Sequence, residues 1–562
     1  METFLTYFVE EFDQHEKAIL ERYFTNLDKP VFCLINLPEV VKGALFARYS
    51  RTSKSTRRLF LDEFVNRREI ALAAMSQAMT PAEAEKLWSE DLSSAFPFIA
   101  KKLRSDPGDP IFSLEHAEGL YRRVFDEYGD DSVSQLGGVH IVFEQASNVV
   151  INEIEWGRLA AYLEQSTRYI DYSTRQPDGR YRYHLPEDVM SSELATHYVD
   201  GMDRLFMLYG DLVNKAVDYF TKLNPRSDFD GDDRAYRTSI RAKAFDAVRP
   251  VLPAGIVSNV GFFGSAQAAA NMLRRLLSSD LAEARKLGQM ALKELRHPDA
   301  APAFFNQIDD PKKGLDWIEY QKNTATITRQ MVDRLIEQNP GEKLLAEGRV
   351  ENEVKLTWSD PDNQRSVCSA IIYELSSQNL TMWDAYEQAC LLSDEAMQSL
   401  ISAYVGERGN RRWKPGRAFE MASYNFDMII DFGIMRDFKR HRMLTAMWGK
   451  LDDSLGWTAD DAIEAMGGMA LYEEAMQISS NLHRLLKRDF PEASQYAVCL
   501  AYRMRFMINI NARALLFMLE LRTSQQGHPA YRKVGQLMHK LVAYVDPMIA
   551  SSISFVDYNQ YS

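Results

Sequence analysis

Apolar residues recur along most of this chain at intervals of three and four, which predicts amphipathic helices. From Ser279 to Leu295 (SDLAEARKLGQMALKEL) a Ser-Asp cap signal is followed by Leu and Ala at helical spacing. Glu464 to Leu486 and Tyr531 to Val545 carry the same pattern. Extended runs are few and short: Gly138–Phe143 (GVHIVF), Val31–Ile35 (VFCLI) and Val354–Trp358 (VKLTW) predict strands. Turn-forming residues cluster at Arg226–Asp233, Gln176–Arg180 and Ser359–Asn363, and no low-complexity tract interrupts the pattern.

Two stretches open alike. One starts at Val31 and one at Val354, each a short β run, a turn with Pro and an amphipathic helix carrying small residues. The pattern predicts a duplicated, helix-rich α+β unit, with the first copy ending near Pro298. The expected domains are repeat 1 over 1–305, a helical connector over 306–348 (helical from about Lys312 to Gly348), and repeat 2 over 349–562.

Composition narrows the function. Of 562 residues, 46% are hydrophobic and 26% charged, the mix of a folded globular protein. The formal net charge of −13 argues against a general nucleic-acid coat, which needs a basic face, while leaving room for a local basic pocket. Cys33, Cys368, Cys390 and Cys499 form no CxxC pair, so neither a disulfide scaffold nor a thiolate zinc site is expected, and a reducing cytoplasm is the simplest setting. The first residues lack a basic segment followed by a long apolar run, and no stretch of about 18 apolar residues occurs. Neither a signal peptide nor a membrane span is expected.

Generic catalytic motifs are missing: there is no GxxxxGK[ST], no GxGxxG after a strand, no HExxH and no GxSxG. Glu294 and His297 form one ExxH, but a helical di-iron site needs it twice, so this reads as a surface helix end and no metal is expected. Two constellations stand out. Glu164-Gln165-Ser166-Thr167-Arg168-Tyr169 follows Trp156-Gly157-Arg158 and combines short donors with a guanidinium, which suits a phosphate dianion. Lys439-Arg440-His441-Arg442 places four basic residues between apolar flanks, which favours partial burial against an anion.

At these residues the chain resembles the flavin-dependent thymidylate synthase (ThyX) family. Arg440-His441-Arg442 spells that family's RHR triplet, and Ser166-Thr167-Arg168-Tyr169 matches its SxRY. Each half keeps what the other has lost. Lys450-Leu451-Asp452-Asp453 stands where the second half should read SxRY, and only Arg158 survives of the first half's triplet, 284 residues before Arg442. Further positions fall into step. Gly129-Asp130-Asp131-Ser132-Val133 is similar to the family's GHxSV and Arg417–Met421 to its PFEH segment, each without the His. Arg249–Pro253 resembles ARxxLP, and Asn511-Ala512-Arg513 with Leu521-Arg522 resembles NxR…LR, which in the first half reads Ser265-Ala266-Gln267.

The resemblance implies two tandem ThyX-like domains forming an internal pseudo-dimer, and a reaction: reductive methylation of dUMP to dTMP, with methylenetetrahydrofolate as carbon donor, FAD as cofactor and NADPH as reductant. It implies that Glu164, Gln165, Ser166, Arg168 and Arg249 bind the dUMP-like nucleotide and that Arg440, His441, Arg442, Asn511 and Arg513 bind FAD. Arg522 would be both substrate-binding and catalytic, polarising the pyrimidine. No cysteine nucleophile is required. Asp452 and Asp453 would repel the nucleotide phosphate and Trp156 and Gly157 offer a flavin pyrophosphate no charge, so each chain is expected to supply at most one complete composite site built from both halves, or to contribute to one across a dimer. The expected assembly is a cytoplasmic homodimer. Two alternatives stay open: a related flavoenzyme that alkylates or hydroxymethylates another pyrimidine nucleotide, and a non-catalytic nucleotide- or flavin-binding paralogue.

Overall fold

A computed structural model describes residues 10–28, 32–49, 54–76, 78–105, 112, 117, 135–297, 305–309, 314–340 and 345–559. In the first half, strand β1 (Gly138–Ser147) leads through helix α1 (Asn148–Ile154) to β2 (Ala160–Glu164). The long helix α2 (Ala195–Leu223) and the helix Asp233–Val248 follow, then β3 (Val257–Ser265), α3 (Ala266–Ser278) and α4 (Ala282–Leu295). The antiparallel sheet has the order β1-β3-β2. Helices Gln14–Leu20, Glu39–Tyr49, Arg68–Met75 and Pro81–Glu90 precede it and share a core around Tyr23, Phe24, Phe60 and Phe64.

The second half repeats this plan. Strands β4 (Ala346–Arg349) and β5 (Glu353–Ser359) precede β6 (Ser423–Asp431), α5 (Phe432–Phe438), β7 (Leu444–Trp448), β8 (Leu455–Trp457), α6 (Met469–Lys487), β9 (Arg503–Asn511), α7 (Ala512–Arg522) and α8 (Pro529–Val545). Its main sheet has the order β5-β6-β9-β7. β6-α5-β7 therefore stands to β1-α1-β2 as the 284-residue offset predicts, and Ser147 and Asp431, at equivalent places, both cap the helix that follows. β9-α7 repeats β3-α3 with an offset of 246 residues, and Ser265 and Asn511 are the matching caps. The expected helix-rich α+β architecture of two tandem units is what the chain adopts.

The halves meet about a pseudo-twofold axis written in backbone hydrogen bonds. Ala254 N donates to Val498 O at 2.8 Å, and the equivalent Leu500 N donates to Leu252 O at 2.9 Å. Gly255 N to Tyr496 O (2.8 Å) and Ala501 N to Pro250 O (2.9 Å) form the second such pair. Pro253 and Cys499, themselves equivalent, face each other across an isolated antiparallel bridge, so the axis passes between them. A side chain at Gly255 would put a Cβ 2.8 Å from Tyr496 O, which explains the glycine. On either side of this junction α2 packs on α6, with Met202, Leu205 and Leu212 buried in one and Tyr472, Ala475 and Met476 in the other.

Two expectations are corrected. Val31–Ile35 forms no strand among the described residues. Thr25 N donates to Cys33 O and Ile35 N to Tyr23 O, so the run folds back on the end of the first helix and leaves β1 with β3 alone. Glu464–Leu486 is not one helix. It breaks at Gly467, whose φ of 68° ends the short helix Asp461–Ala465 before α6 begins. Of the expected connector, Asp316–Gln338 is helical, and β4 pairs with β8 of the second half. Gly129–Val133 lies outside the described residues.

Helix α7, which carries Arg522 at its end, is anchored by a buried ion pair. Arg408 Nη1 and Nη2 each lie 2.6 Å from a carboxylate oxygen of Glu520, and neither side chain is more than 3% exposed. Replacing Arg408 with Met leaves Glu520 buried without its partner, so unfolding free energy should fall by about 3–5 kcal/mol. A denaturation midpoint unchanged in Arg408→Met would show that the pair is dispensable.

Candidate functional site

The two constellations singled out in the sequence come together at the junction of the halves. Glu164, at the end of β2, has its side chain almost wholly buried and is bound by Arg436 of α5 and by Arg440 just beyond it. Arg440 also approaches Glu155 (3.8 Å) and Asp437 (3.7 Å). Arg442 Nε donates to Ala160 O at 3.0 Å, and its guanidinium lies 4.9 Å from the ring centre of Tyr162. Glu155, Tyr162, Leu163, Glu164, Arg440 and Arg442 line a cleft of about 270 Å³.

From this cleft an alternating chain of cations and anions runs through both halves. Asp437 lies 3.3 Å from Arg522 and 4.0 Å from Arg249. Arg249 continues to Asp246 (3.3 Å), and Asp246 to Arg168 (3.1 Å). Arg168 closes the chain by donating to Gln526 O at 3.1 Å. Thus Glu164, Arg168 and Arg249 from the first half meet Arg440, His441, Arg442 and Arg522 from the second. Ser166 accepts from Arg168 N at 3.3 Å and so shapes the turn that presents the Arg. Gln165 is held through its backbone, donating to Asn259 O.

Asn511 and Arg513 sit at the other end of α7. The Asn511 side chain caps the helix, and Arg513 donates to Pro415 O (2.9 Å) and pairs with Glu420 (3.3 Å). Phe517 links this end to the network: the Lys414 ammonium is 3.8 Å from its ring centre, and the His441 ring packs edge-on to it at 5.9 Å.

Burial sets the charge states. It would raise the Asp437 carboxyl, but Arg522, Arg249, Arg440 and Arg436 outweigh it and hold the group below the ordinary carboxylate range. Asp246 is held down against burial by Arg249, His528 and Arg168. Burial, reinforced by the Arg522 guanidinium, lowers the His441 pKa to about 3. His441 is therefore a neutral acceptor at pH 7, and its Nε2 accepts a hydrogen bond from Arg522 Nε at 3.2 Å. Burial also brings Lys439 down to about 7, although Glu155 and Glu164 oppose it, and its Nζ donates to Asn152 O at 3.1 Å.

The pseudo-twofold axis generates a second crossing of the same elements with different chemistry. Trp156 occupies the place of Arg440, and Trp448 that of Glu164. Their rings pack at 5.1 Å where the other crossing has its ion pair. Arg158, the equivalent of Arg442, donates to Thr445 Oγ1 at 3.1 Å. Glu492 and Glu153 hold the places of Asp246 and Asp437. Lys450 pairs with Glu492, and Asp453 with Arg484. Leu276, in the place of Arg522, brings no charge.

Sequence reading missed Asp246, Asp437 and Arg436, because their partners lie far away along the chain; Lys439 was seen in the basic run, but not its bond to Asn152 O. The one local signal was the spacing of Arg436 and Arg440, four apart across the end of α5. Burial pushes the Cys499 thiol up to about 12 and Cys368 up to about 11, so neither of these two is a ready thiolate at neutral pH. No group of described residues could hold a metal ion, and no described helix is long and apolar enough to cross a membrane.

Lys439 yields a pH prediction. Its folded pKa lies below its unfolded value of about 10.5, so the unfolded chain binds more protons between about pH 7 and 10.5, and Lys439 makes stability rise with pH across that window. In Lys439→Met this contribution vanishes, so the melting temperature of the parent should rise steadily relative to that of the variant from pH 7 to 10. A gap independent of pH would show that the ammonium is not desolvated.

Comparison with known proteins places this architecture. The chain is similar over 98% of its length to a UPF0159 protein of Chlamydia muridarum (33% identity, 96% of that protein covered) and to one of Chlamydia pneumoniae (32%, also 96% covered). A UPF0159 protein of Thermoplasma acidophilum is 28% identical over 80% of this chain and 90% of its own length. Among solved structures, a UMP/dUMP methylase PolB from Streptomyces cacaoi, bound with 5-Br dUMP, covers 37% of this chain and 97% of its own, at 17% identity and a TM-score of 0.31. The sequence pattern of the thymidylate synthase complementing proteins matches residues 61–300 and again 355–548, one match in each half. With both matches together spanning well over half of its length, the chain belongs to the thymidylate synthase complementing protein family, Thy1, and carries that unit twice.

Proposed function

We propose that this chain converts dUMP to dTMP, using methylenetetrahydrofolate, FAD and NADPH, at one composite site built from both halves. Family membership supports a nucleotide methyltransferase-like enzyme. The observation that carries the finer reading is the junction network. The first-half residues assigned to nucleotide by resemblance (Glu164, Arg168, Arg249) and the second-half residues assigned to flavin or pyrimidine (Arg440, His441, Arg442, Arg522) form one connected cluster.

In this reading Arg168 and Arg249, steered by Asp246, bind the nucleotide phosphate. Arg522 is held at a fixed angle by its bond to neutral His441 and reaches the pyrimidine, where it stabilises negative charge developing on the ring. Arg440 and Arg442, with the Tyr162 ring beside them, fit a ligand that combines a pyrophosphate with a flat ring, as FAD does. The cleft is slightly below the roughly 300 Å³ that encloses a drug-sized ligand, so it would hold only part of so large a cofactor. FAD, when bound, would supply hydride transfer from NADPH.

The purified chain should be yellow and should form dTMP from dUMP, methylenetetrahydrofolate and NADPH, as read by mass spectrometry, and it should rescue a thymidine-requiring strain. Flavin and dUMP binding without dTMP would instead favour a flavoenzyme acting on another pyrimidine nucleotide. Absence of both would leave a paralogue without catalysis. Arg442→Ala removes a charged hydrogen bond worth about 1.5–3 kcal/mol, so flavin affinity should drop about ten- to a hundredfold. Calorimetry should saturate near one dUMP per chain, and the double change Arg168→Ala with Arg249→Ala should abolish that binding. Two equal sites per chain would refute the composite arrangement.

A further inference from the structure

We propose that Asp246 and Asp437 are built-in stand-ins for the nucleotide phosphate, and that they tune the site to a ligand bearing two negative charges rather than three. This rests on the nucleotide reading above and adds a selectivity device to it.

The first support is geometric. Asp437 is ringed by three guanidiniums, from Arg522, Arg440 and Arg249, at 3.3, 3.7 and 4.0 Å. None is a tight contact. Arg408 and Glu520, a structural pair in the same protein, meet twice at 2.6 Å. Asp246 likewise holds Arg168 and Arg249 at 3.1 and 3.3 Å through a single oxygen. The carboxylates thus keep four mutually repelling guanidiniums gathered without saturating them. A phosphate, with three acceptor oxygens and shorter charge-assisted bonds, can compete for the same donors.

The second support is charge. The connected cluster contains Arg168, Arg249, Arg436, Arg440, Arg442 and Arg522 against Glu155, Glu164, Asp246 and Asp437, six positive charges and four negative. His441 is neutral, and burial lowers the pKa of Lys439 to about 7. Arg442 joins only through a backbone carbonyl and Lys439 is partly charged, so the surplus lies between one and three positive charges, and its sign suits a phosphate monoester dianion. A diphosphate would bring a third negative charge beside two fixed carboxylates in a partly buried setting, where like charges repel strongly.

The third support is the other crossing. The equivalents of the two aspartates, Glu492 and Glu153, meet no ring of arginines. Lys450 takes Glu492, and the Glu153 carboxyl is pushed by burial up to about 7. A carboxylate at these places is ionised among guanidiniums only where the nucleotide residues are also kept.

The test is calorimetric titration of the full chain with deoxyuridine, dUMP and dUDP, for the parent, Asp437→Asn, Asp246→Asn and the conservative Asp437→Glu. The parent should bind dUMP at least about tenfold more tightly than dUDP. Either Asn variant should shrink that ratio by about tenfold, through tighter dUDP binding. Deoxyuridine affinity should not move in Asp246→Asn, whose partners are Arg168 and Arg249 rather than Arg522, whereas a merely structural role would shift all three ligands together. Asp437→Glu should keep the parent ratio. A parent without preference, or Asn variants that bind dUMP with the ratio unchanged, would overturn the inference. If the parent binds no uridine nucleotide, the proposed function fails instead. Inorganic phosphate against pyrophosphate then serves as the probe pair, and a preference for phosphate unaltered by either Asn change overturns this inference as well.

Discussion

Everything at the site depends on the backbone ladder that joins Pro250–Gly255 to Tyr496–Ala501. Its bonds come in pairs that exchange under the pseudo-twofold axis, and they fix the two halves against each other through groups that no side-chain replacement removes. α2 and α6 pack beside the ladder, and β2 and β7 are carried to the other half's basic loop. Because the axis passes between Pro253 and Cys499, whatever is built on one side has a counterpart on the other.

The symmetry of the frame makes the asymmetry of its contents informative. One crossing keeps a dense alternation of guanidinium and carboxylate. The other has exchanged its central ion pair for packed indoles and its last arginine for Leu276. Both solutions satisfy the frame: paired charges tolerate partial burial, and aromatic rings gain from it. The charged crossing gathers its guanidiniums around Asp437 and Asp246, whereas the second keeps Arg158 and Lys450 apart, on Thr445 and Glu492.

Much of this was legible in the sequence. The 284-residue offset between Arg158 and Arg442 anticipated the equivalence of β1-α1-β2 with β6-α5-β7. The basic run at Lys439–Arg442, placed between apolar flanks, signalled burial against negative charge. What stayed hidden was long-range pairing. Asp437 is an ordinary helix residue until Arg249, nearly two hundred positions earlier, is brought to it. Trp156 read only as a lost charge, because its partner Trp448 lies in the other repeat. Local errors had local causes. Averaging hydrophobicity from Glu464 to Leu486 passed over Gly467-Gly468, a breaker dipeptide. Val31–Ile35 has β-forming residues, but its partners are the backbone groups of Tyr23 and Thr25.

The covalent union of the halves has a kinetic consequence. A pocket assembled from separate subunits forms by collision, and its population falls on dilution. Here Glu164 and Arg440 belong to one polypeptide, and their encounter is intramolecular, with an effective concentration set by the chain rather than by the solution. The charged crossing is therefore complete in a single molecule at any concentration at which the chain stays folded. Its counterpart is joined within the same polypeptide too, through the packed rings of Trp156 and Trp448.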